Sequence, residues 1–193
     1  FATNSQGDVV GESGPADSAD RGVFLWDAVH GMREISCLPH FCGYNVLRAE
    51  DINDNRQVVG NAGDHAFIWD STSGMREFAN GARPKAINNE GLVVGSLLNA
   101  GPFVYTAFMY DGDTVHKLND LLEYEGPGSW YLNNAFDINE QGQIVGSATF
   151  DPDGFGLEPE VSIAYLLTPT PEPASISLLA FGTIAILRRR RKR

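Results

Sequence analysis

Four stretches of this chain are variants of one string, and that repetition constrains the fold more than any other feature. ATNSQGDVVGES (Ala2–Ser13) is followed by VFLWD (Val23–Asp27), and DINDNRQVVGNA (Asp51–Ala62) by HAFIWD (His65–Asp70). AINNEGLVVGSL (Ala86–Leu97) is followed by TAFMYDGD (Thr106–Asp113), and DINEQGQIVGSA (Asp137–Ala148) by AYLLT (Ala164–Thr168). GMREI (Gly31–Ile35) and GMREF (Gly74–Phe78) extend the likeness in two units. The glycines that close the Val-Val or Ile-Val pairs, Gly11, Gly60, Gly95 and Gly146, lie 49, 35 and 51 residues apart. The short strings keep their form while the connections change length, as strands joined by surface loops do.

Each unit reads as four short strands. Asn-x-x-Gly between apolar stretches predicts a hairpin turn, with Gly7, Gly91 and Gly142 at positive φ. The second unit has Arg56 at that place, which is costly for a side chain, so Asn55 is expected to take over the turn. The Ala-Phe-Ile-Trp string is apolar on both faces, as expected of a strand buried between stacked sheets. Asp111-Gly112 predicts a two-residue turn between AFMY and TVHKL, and Asp70–Gly74 serves in the second unit. Four strands in roughly 35–50 residues is the size of a propeller blade, which buries its faces only by stacking on neighbours. The expected fold class is all-β: tandem four-stranded repeats over residues 1–168, β-propeller-like, with a β-solenoid or a sandwich of hairpins as alternatives. The fourth unit meets Pro169 before a fourth strand can form. The chain starts at Phe1, inside a unit and without Met, so it is expected to be the C-terminal part of a longer protein.

At 193 residues and 42% hydrophobic the chain can bury one core or a tandem array of smaller ones. Its net charge is −11, of which the last six residues contribute +6, so residues 1–187 carry −17. Such a body repels nucleic acid and anionic membrane surfaces, which recruit clustered Lys and Arg. The 21 glycines suit a turn-rich β protein.

The string Ile-Asn-x-x-Gly-x-Val-Val-Gly-Ser followed by His-Ala-Phe-Ile-Trp resembles the HAF repeat of bacterial extracellular proteins. His65-Ala66-Phe67 carries the name-giving tripeptide, Thr106-Ala107-Phe108 keeps two of its three residues, and Val23-Phe24 and Ala164-Tyr165 are looser. The resemblance covers about residues 1–168. It implies a secreted, propeller-like array and brings no catalytic residues with it.

The tail differs from this body. Thr168–Pro173 is a Pro-rich segment, extended and stiff, with its linker and PEP motif at 169–173. Ala174–Leu187 (ASISLLAFGTIAIL) holds no charge. As a helix its 14 residues reach about 21 Å, short of the roughly 30 Å hydrocarbon core. Arg188, Arg189, Arg190, Arg191, Lys192 and Arg193 follow it, matching a cytoplasmic basic stop with the acidic body outside. Residues 174–187 are therefore expected to form a short hydrophobic transmembrane or sorting helix, and 188–193 a basic cytoplasmic tail. The order Pro171-Glu172-Pro173, apolar run, Arg-rich terminus is similar to the PEP-CTERM sorting signal of Gram-negative bacteria. That resemblance implies an exosortase-type membrane protease as partner and cleavage near Pro171–Pro173. It also implies residence in the inner membrane during sorting and delivery to the cell surface or an exopolysaccharide matrix.

Other constellations are sparse. His30, His40, His65 and His116 are scattered, and metal-ligand spacing of the His-x-Glu-x-x-His kind does not occur. Cys37 and Cys42 are candidates for a loop-stapling disulfide in an exported protein. A nucleophile elbow, P-loop or dinucleotide fingerprint is not found. FDPDGFGLEPE gathers Asp151, Asp153, Glu158 and Glu160, oxygen ligands of the kind calcium takes, on one Gly- and Pro-rich loop. The alternative for that loop is simple solvation. Trp130 and Tyr131 lie in the insertion before the fourth unit, where aromatics either stack on sugar rings or fold back onto the core. The expected function is that of a non-enzymatic cell-surface or matrix repeat protein without a cofactor, with exopolysaccharide as a further partner and no nucleic acid. The alternatives are a secreted polysaccharide-acting enzyme and a calcium-dependent carbohydrate-binding module.

Overall fold

The four strings become four antiparallel sheets, each a meander in chain order. The structure is a computed structural model and describes residues 1–14, 22–35, 47–98, 105–124, 126–152, 161–170 and 181–182. Repeat 1 comprises β1 (Ala2–Thr3), β2 (Val9–Ser13), β3 (Gly22–Asp27) and β4 (Gly31–Ile35). Repeat 2 comprises β5 (Leu47–Ile52), β6 (Val58–Ala62), β7 (His65–Asp70) and β8 (Gly74–Asn80). Repeat 3 comprises β9 (Ala82–Ile87), β10 (Val93–Leu98), β11 (Tyr105–Tyr110) and β12 (Val115–Lys117). A turn of 3₁₀-helix at Leu118–Leu121 and the short β13 (Leu122–Glu123) lead into repeat 4, with β14 (Ser129–Ile138), β15 (Ile144–Asp151) and β16 (Val161–Leu167).

The hydrophobic pairs explain how the sheets stack. In Val58-Val59 the two side chains point to opposite faces, as successive residues of a strand must. Val58 joins a core shared with repeat 1, and Val59 joins one shared with repeat 3. Strand β7 divides the same way: Phe67 and Trp69 pack toward repeat 1, Ala66 and Ile68 toward repeat 3. A third core, including Val94, Met109, Ile144 and Tyr165, joins repeats 3 and 4. Each core therefore belongs to one pair of neighbouring sheets, the arrangement of a repeat array with nearest-neighbour stability. The expected strand buried on both faces is observed, with Phe67 and Phe108 fully buried. The all-β repeat architecture holds; the described sheets form an open series of four rather than a closed ring.

The glycine after each valine pair has a steric reason. In three repeats the first strand carries a bulge opposite it, between Ala49 and Asp51, Pro84 and Ala86, or Ala135 and Asp137. At all three sites a Cβ on the glycine would lie 1.9 Å (Gly60), 2.1 Å (Gly95) or 2.0 Å (Gly146) from the carbonyl oxygen of Arg48, Arg83 or Asn134 across the pair. A carbonyl so placed leaves room only for hydrogen.

Two turn expectations change. Arg56 itself occupies the left-handed region at φ 59°, so Asn55 does not take over the turn. Its cost is offset by a two-point contact with Asp8 of repeat 1, from Nε to Oδ2 at 2.7 Å and from Nη2 to Oδ1 at 3.1 Å. The turn after Tyr110 is a four-residue loop, because Tyr110 pairs with Val115. Asp111 Oδ1 there accepts the N–H groups of Asp113 (3.0 Å) and Thr114 (2.8 Å), which favours the longer loop over a two-residue turn.

The tail helix is also revised where the structure describes it. Phe181–Gly182 is extended, as β17, and pairs in parallel with Leu122–Glu123. Fourteen residues rich in β-branched side chains and containing Gly182 make a weak helix outside a bilayer, whereas the edge of β13 offers backbone partners. The rest of 174–187 lies outside the described residues. No helix among the described residues is long and apolar enough to cross a membrane.

Candidate functional site

A meander of four strands puts its 1–2 and 3–4 turns at one end of the sheet and its 2–3 connection at the other. All the 1–2 turns here are tight: Asn4–Asp8, Asn53–Gln57, Asn88–Leu92 and Asn139–Gln143 each close with a backbone bond of 3.1–3.2 Å. Long connections are anchored at the opposite end, between Ser13 and Gly22, Ile35 and Leu47, Leu98 and Tyr105, and Asp151 and Val161. One end is thus a rigid lattice of turns, and length variation is confined to the other.

The turn lattice is built from asparagine. Its side-chain oxygen accepts N–H groups of its own turn, as Asn88 Oδ1 does from Glu90 (3.1 Å) and Leu92 (3.0 Å). Its side-chain amide reaches the backbone carbonyl of the next repeat's asparagine. Asn4 Nδ2 donates to Asn53 O at 3.1 Å, Asn53 Nδ2 to Asn88 O at 2.9 Å, and Asn88 Nδ2 to Asn139 O at 3.3 Å. A parallel row runs beside it: the N–H of Ser5 donates to Asp54 Oδ1 (2.8 Å), that of Asp54 to Asn89 Oδ1 (2.7 Å), and that of Asn89 to Glu140 Oε2 (3.0 Å). Asparagine is the residue that supplies one acceptor and two donors on a stem this short. Aspartate lacks the donors, and glutamine is a methylene too long.

The 3–4 turns share a second device that the sequence reading overlooked. The aspartate that ends the third strand, Asp27 or Asp70, or directly follows it, Asp111, accepts two turn N–H groups and pairs with a basic residue on the fourth strand, Arg33, Arg76 or His116. Hydrogen bonds from the His30 and Val29 backbone, with the His30 imidazole adjacent, hold Asp27 at a pKa of about 2. The Thr114 N–H and His116 do the same for Asp111, also at about 2. Asp70 is lowered by the Ser73 and Thr72 N–H groups. The signal was present in the sequence as Trp-Asp and Tyr-Asp before the turn, with Arg or His five or six residues on.

Between these turns lies an open, polar cleft of about 420 Å³ lined by Asn55, Gln57, Asp70, Ser71, Thr72, Asn89 and Glu90. It lacks aromatic walls and paired acids of perturbed pKa. Among the described residues Asp51 is the one aspartate held above its ordinary range, by burial, with the Asp137 charge adding to it and the Ile87 N–H at 2.8 Å opposing it. That contact joins repeats 2 and 3.

The residues singled out from the sequence are placed as follows. Trp130 lies in β14 rather than a loop, buried against Phe150 at 4.6 Å and Tyr124 at 6.0 Å, while Tyr131 is exposed. His30, His65 and His116 each pair with a carboxylate, of Asp27, Glu77 and Asp111. Asp151 is buried at the end of β15, and its companions Asp153 and Glu158 lie outside the described residues. No group of three metal-ligating side chains occurs among the described residues. Cys37, Cys42, His40, Pro171–Pro173 and Arg188–Arg193 also lie outside them.

What the structure does place is the point where the tail departs. β16 is the third strand of its repeat and ends at the turn-lattice end, with Thr168 Oγ1 3.5 Å from Gln143 Nε2 of the last asparagine turn. Pro169 follows where the other repeats have their aspartate turn, and among the described residues this sheet has three strands. Proline has no N–H to give a fourth strand's turn. Residues 169–192 match the PEP-CTERM protein-sorting motif. The match begins one residue after the last repeat's Thr168 and takes in β17. PEP-CTERM signals are exosortase substrates, and they imply export and membrane-associated sorting in Gram-negative bacteria. Neither the curated proteins nor the solved structures contain a significant match to this chain.

Proposed function

We propose that the chain is a non-enzymatic repeat protein of the cell surface or extracellular matrix, exported and then released from its tail by an exosortase. The PEP-CTERM match at 169–192 carries this reading. Two features support it. β16, the last strand of repeat 4, ends at Leu167, four residues before Pro171 in the sequence. The body's acidic and amide groups are taken up in turn and inter-repeat bonding, as in Asp27, Asp54 and Asn53, which suits a scaffold better than a reaction centre. The resemblance of the strings to HAF repeats of extracellular proteins points the same way. Residues 174–187 act as a transient membrane segment, and 188–193 hold the cytoplasmic side until processing.

The test is cleavage in the native host. Replacing Pro171, Glu172 and Pro173 together by alanine is expected to leave full-length chain in the inner-membrane fraction, while the native sequence yields a shortened, externally accessible body. Equal processing of both proteins would remove the assignment of the cleavage signal to these residues.

A further inference from the structure

The polar cleft of about 420 Å³ between repeats 2 and 3 has walls that the repeat pattern does not dictate. Gln57 closes the Asn53 turn, and its place is taken by Asp8 in repeat 1 and Leu92 in repeat 3. Ser71 and Thr72 follow the aspartate of the 3–4 turn, where repeat 1 has Ala28 and Val29 and repeat 3 has Gly112 and Asp113. Between repeats 1 and 2 the place of Gln57 is spent on an ion pair, Asp8 with Arg56 at 2.7 Å. The same lattice of turns therefore builds different surfaces at successive steps, and an amide meets two hydroxyls only at this one among the described residues.

Part of the cleft is fixed by bonds within the chain. Asp70 Oδ1 accepts the Thr72 and Ser73 N–H groups, and its Oδ2 accepts Arg76 Nη2 at 3.1 Å. Asn89 is tied to Asp54 through both side-chain atoms, and Gln57 Oε1 accepts the buried Asn53 amide at 2.8 Å. The Ser71 and Thr72 hydroxyls, Gln57 Nε2 and the Glu90 carboxylate are left without a partner among the described residues. Together they offer both donors and acceptors. Among the described residues no cation lines the cleft, so a phosphate, sulfate or uronate would meet the Glu90 charge uncompensated. The absence of a large apolar side chain from the same lining leaves an apolar ligand little to gain. The chemistry that remains is a neutral molecule whose hydroxyls both give and accept hydrogen bonds.

We propose that this cleft binds a neutral saccharide through Ser71, Thr72, Gln57 and Glu90. Its 420 Å³ lies within the roughly 300–1,000 Å³ of small-molecule sites. The bonded Asp70, Asn89 and Gln57 hold the walls in place before the ligand arrives, which lowers the cost of ordering them. Without an aromatic ring to stack on, a dissociation constant of about 1 mM is expected. Such a site retains a protein in a polysaccharide matrix and performs no turnover. It goes beyond the sorting reading and stands or falls separately from it.

Amide chemical-shift titration of the full chain, in EDTA and a sugar-free polyoxyethylene detergent, tests this. The probes are maltohexaose, cellohexaose, laminarihexaose and mannohexaose, with hexagalacturonate as the anionic counterpart. At least one neutral probe is expected to move the amides of Gln57, Ser71, Thr72 and Glu90 in a saturable way, and hexagalacturonate is expected to move none of them. Ser71→Ala combined with Thr72→Val gives repeat 2 the residues that repeat 1 carries at these places, so the turn keeps its fold. With Tm unchanged, this variant is expected to bind the same probe about tenfold more weakly, the loss of two hydrogen bonds. No saturable shift with any neutral probe overturns the proposal. So do shifts that persist undiminished in the double variant, which place the contact elsewhere, and hexagalacturonate binding as well as the neutral probes.

Discussion

Replacing Asn53 by alanine tests the asparagine ladder at its most buried rung. Asn53 is 4% exposed, and its side chain makes three bonds: Oδ1 accepts the Gln57 N–H at 2.9 Å, and Nδ2 donates to Gln57 Oε1 at 2.8 Å and to Asn88 O at 2.9 Å. At a net value of about 1 kcal/mol per bond the loss is about 3 kcal/mol. Gln57 is half-buried and recovers part of this from water, and Asn88 O keeps the Gly91 N–H at 3.0 Å, which brings the expected cost to about 2–3 kcal/mol. Asn139 is the internal control. Its side chain makes the same two bonds to the Gln143 N–H and Gln143 Oε1 and adds the Gln141 N–H, but it is exposed and reaches no further repeat among the described residues. Asn139→Ala is expected to cost about 1 kcal/mol. In a chain of this size 1 kcal/mol moves Tm by about 2–4 °C, so thermal denaturation should separate Asn53→Ala from Asn139→Ala by about 2–8 °C. Asn53→Asp keeps the acceptor and loses both donors, so it should be worse than alanine at neutral pH and recover as the new carboxyl is protonated. Equal Tm losses in Asn53→Ala and Asn139→Ala would refute the ladder as a tie between repeats.

Two further outcomes follow from single residues. Arg56→Gly removes a left-handed side chain, a relief of about 1 kcal/mol, but strips the buried Asp8 of its cation. The Arg56 hydrogen bonds lower the Asp8 pKa, so the pair's contribution is complete above the ordinary aspartate pKa and lost as pH falls through the lowered folded value. Arg56→Gly should therefore be less stable than the native chain at pH 7 and more stable near pH 2 in urea melts; the same sign at both pH values would be contrary. Gly60→Ala forces a Cβ against the Arg48 carbonyl and should cost about 2 kcal/mol or more, whereas Gly11→Ala meets chiefly the Phe1 ring, which can swing away, and should cost less.

The repeat units, their strand count and the double-faced third strand were legible because they rest on short, local strings. Val58-Val59 announces two buried faces wherever it stands in an extended chain. What was not legible depended on partners in other repeats. Arg56 looked like a turn defect because its compensation, Asp8, lies 48 residues earlier. Gly60 was legible as the fixed end of the Val-Val string, but that it passes a bulged carbonyl was not, because bulges leave little trace in sequence. Asn53 was readable as a turn residue; that its amide also reaches the next repeat requires knowing how the sheets stack. Trp130 was assigned to an insertion because β14 extends ten residues, well beyond the matching strands of the other repeats. The break after the fourth unit's third strand could be read directly, since Pro169 has no N–H to give a turn. The sorting motif was equally plain, being carried by residue order alone.

Intact mass of the protein recovered from its native host tests the central claim most directly, that this acidic β array is cargo and residues 169–192 are its address. The account predicts a mature body whose C-terminus falls near Pro171–Pro173, lacking the apolar run and all six terminal cations. A chain that retains Arg193 in the membrane fraction, with no shortened form outside the cell, would contradict it.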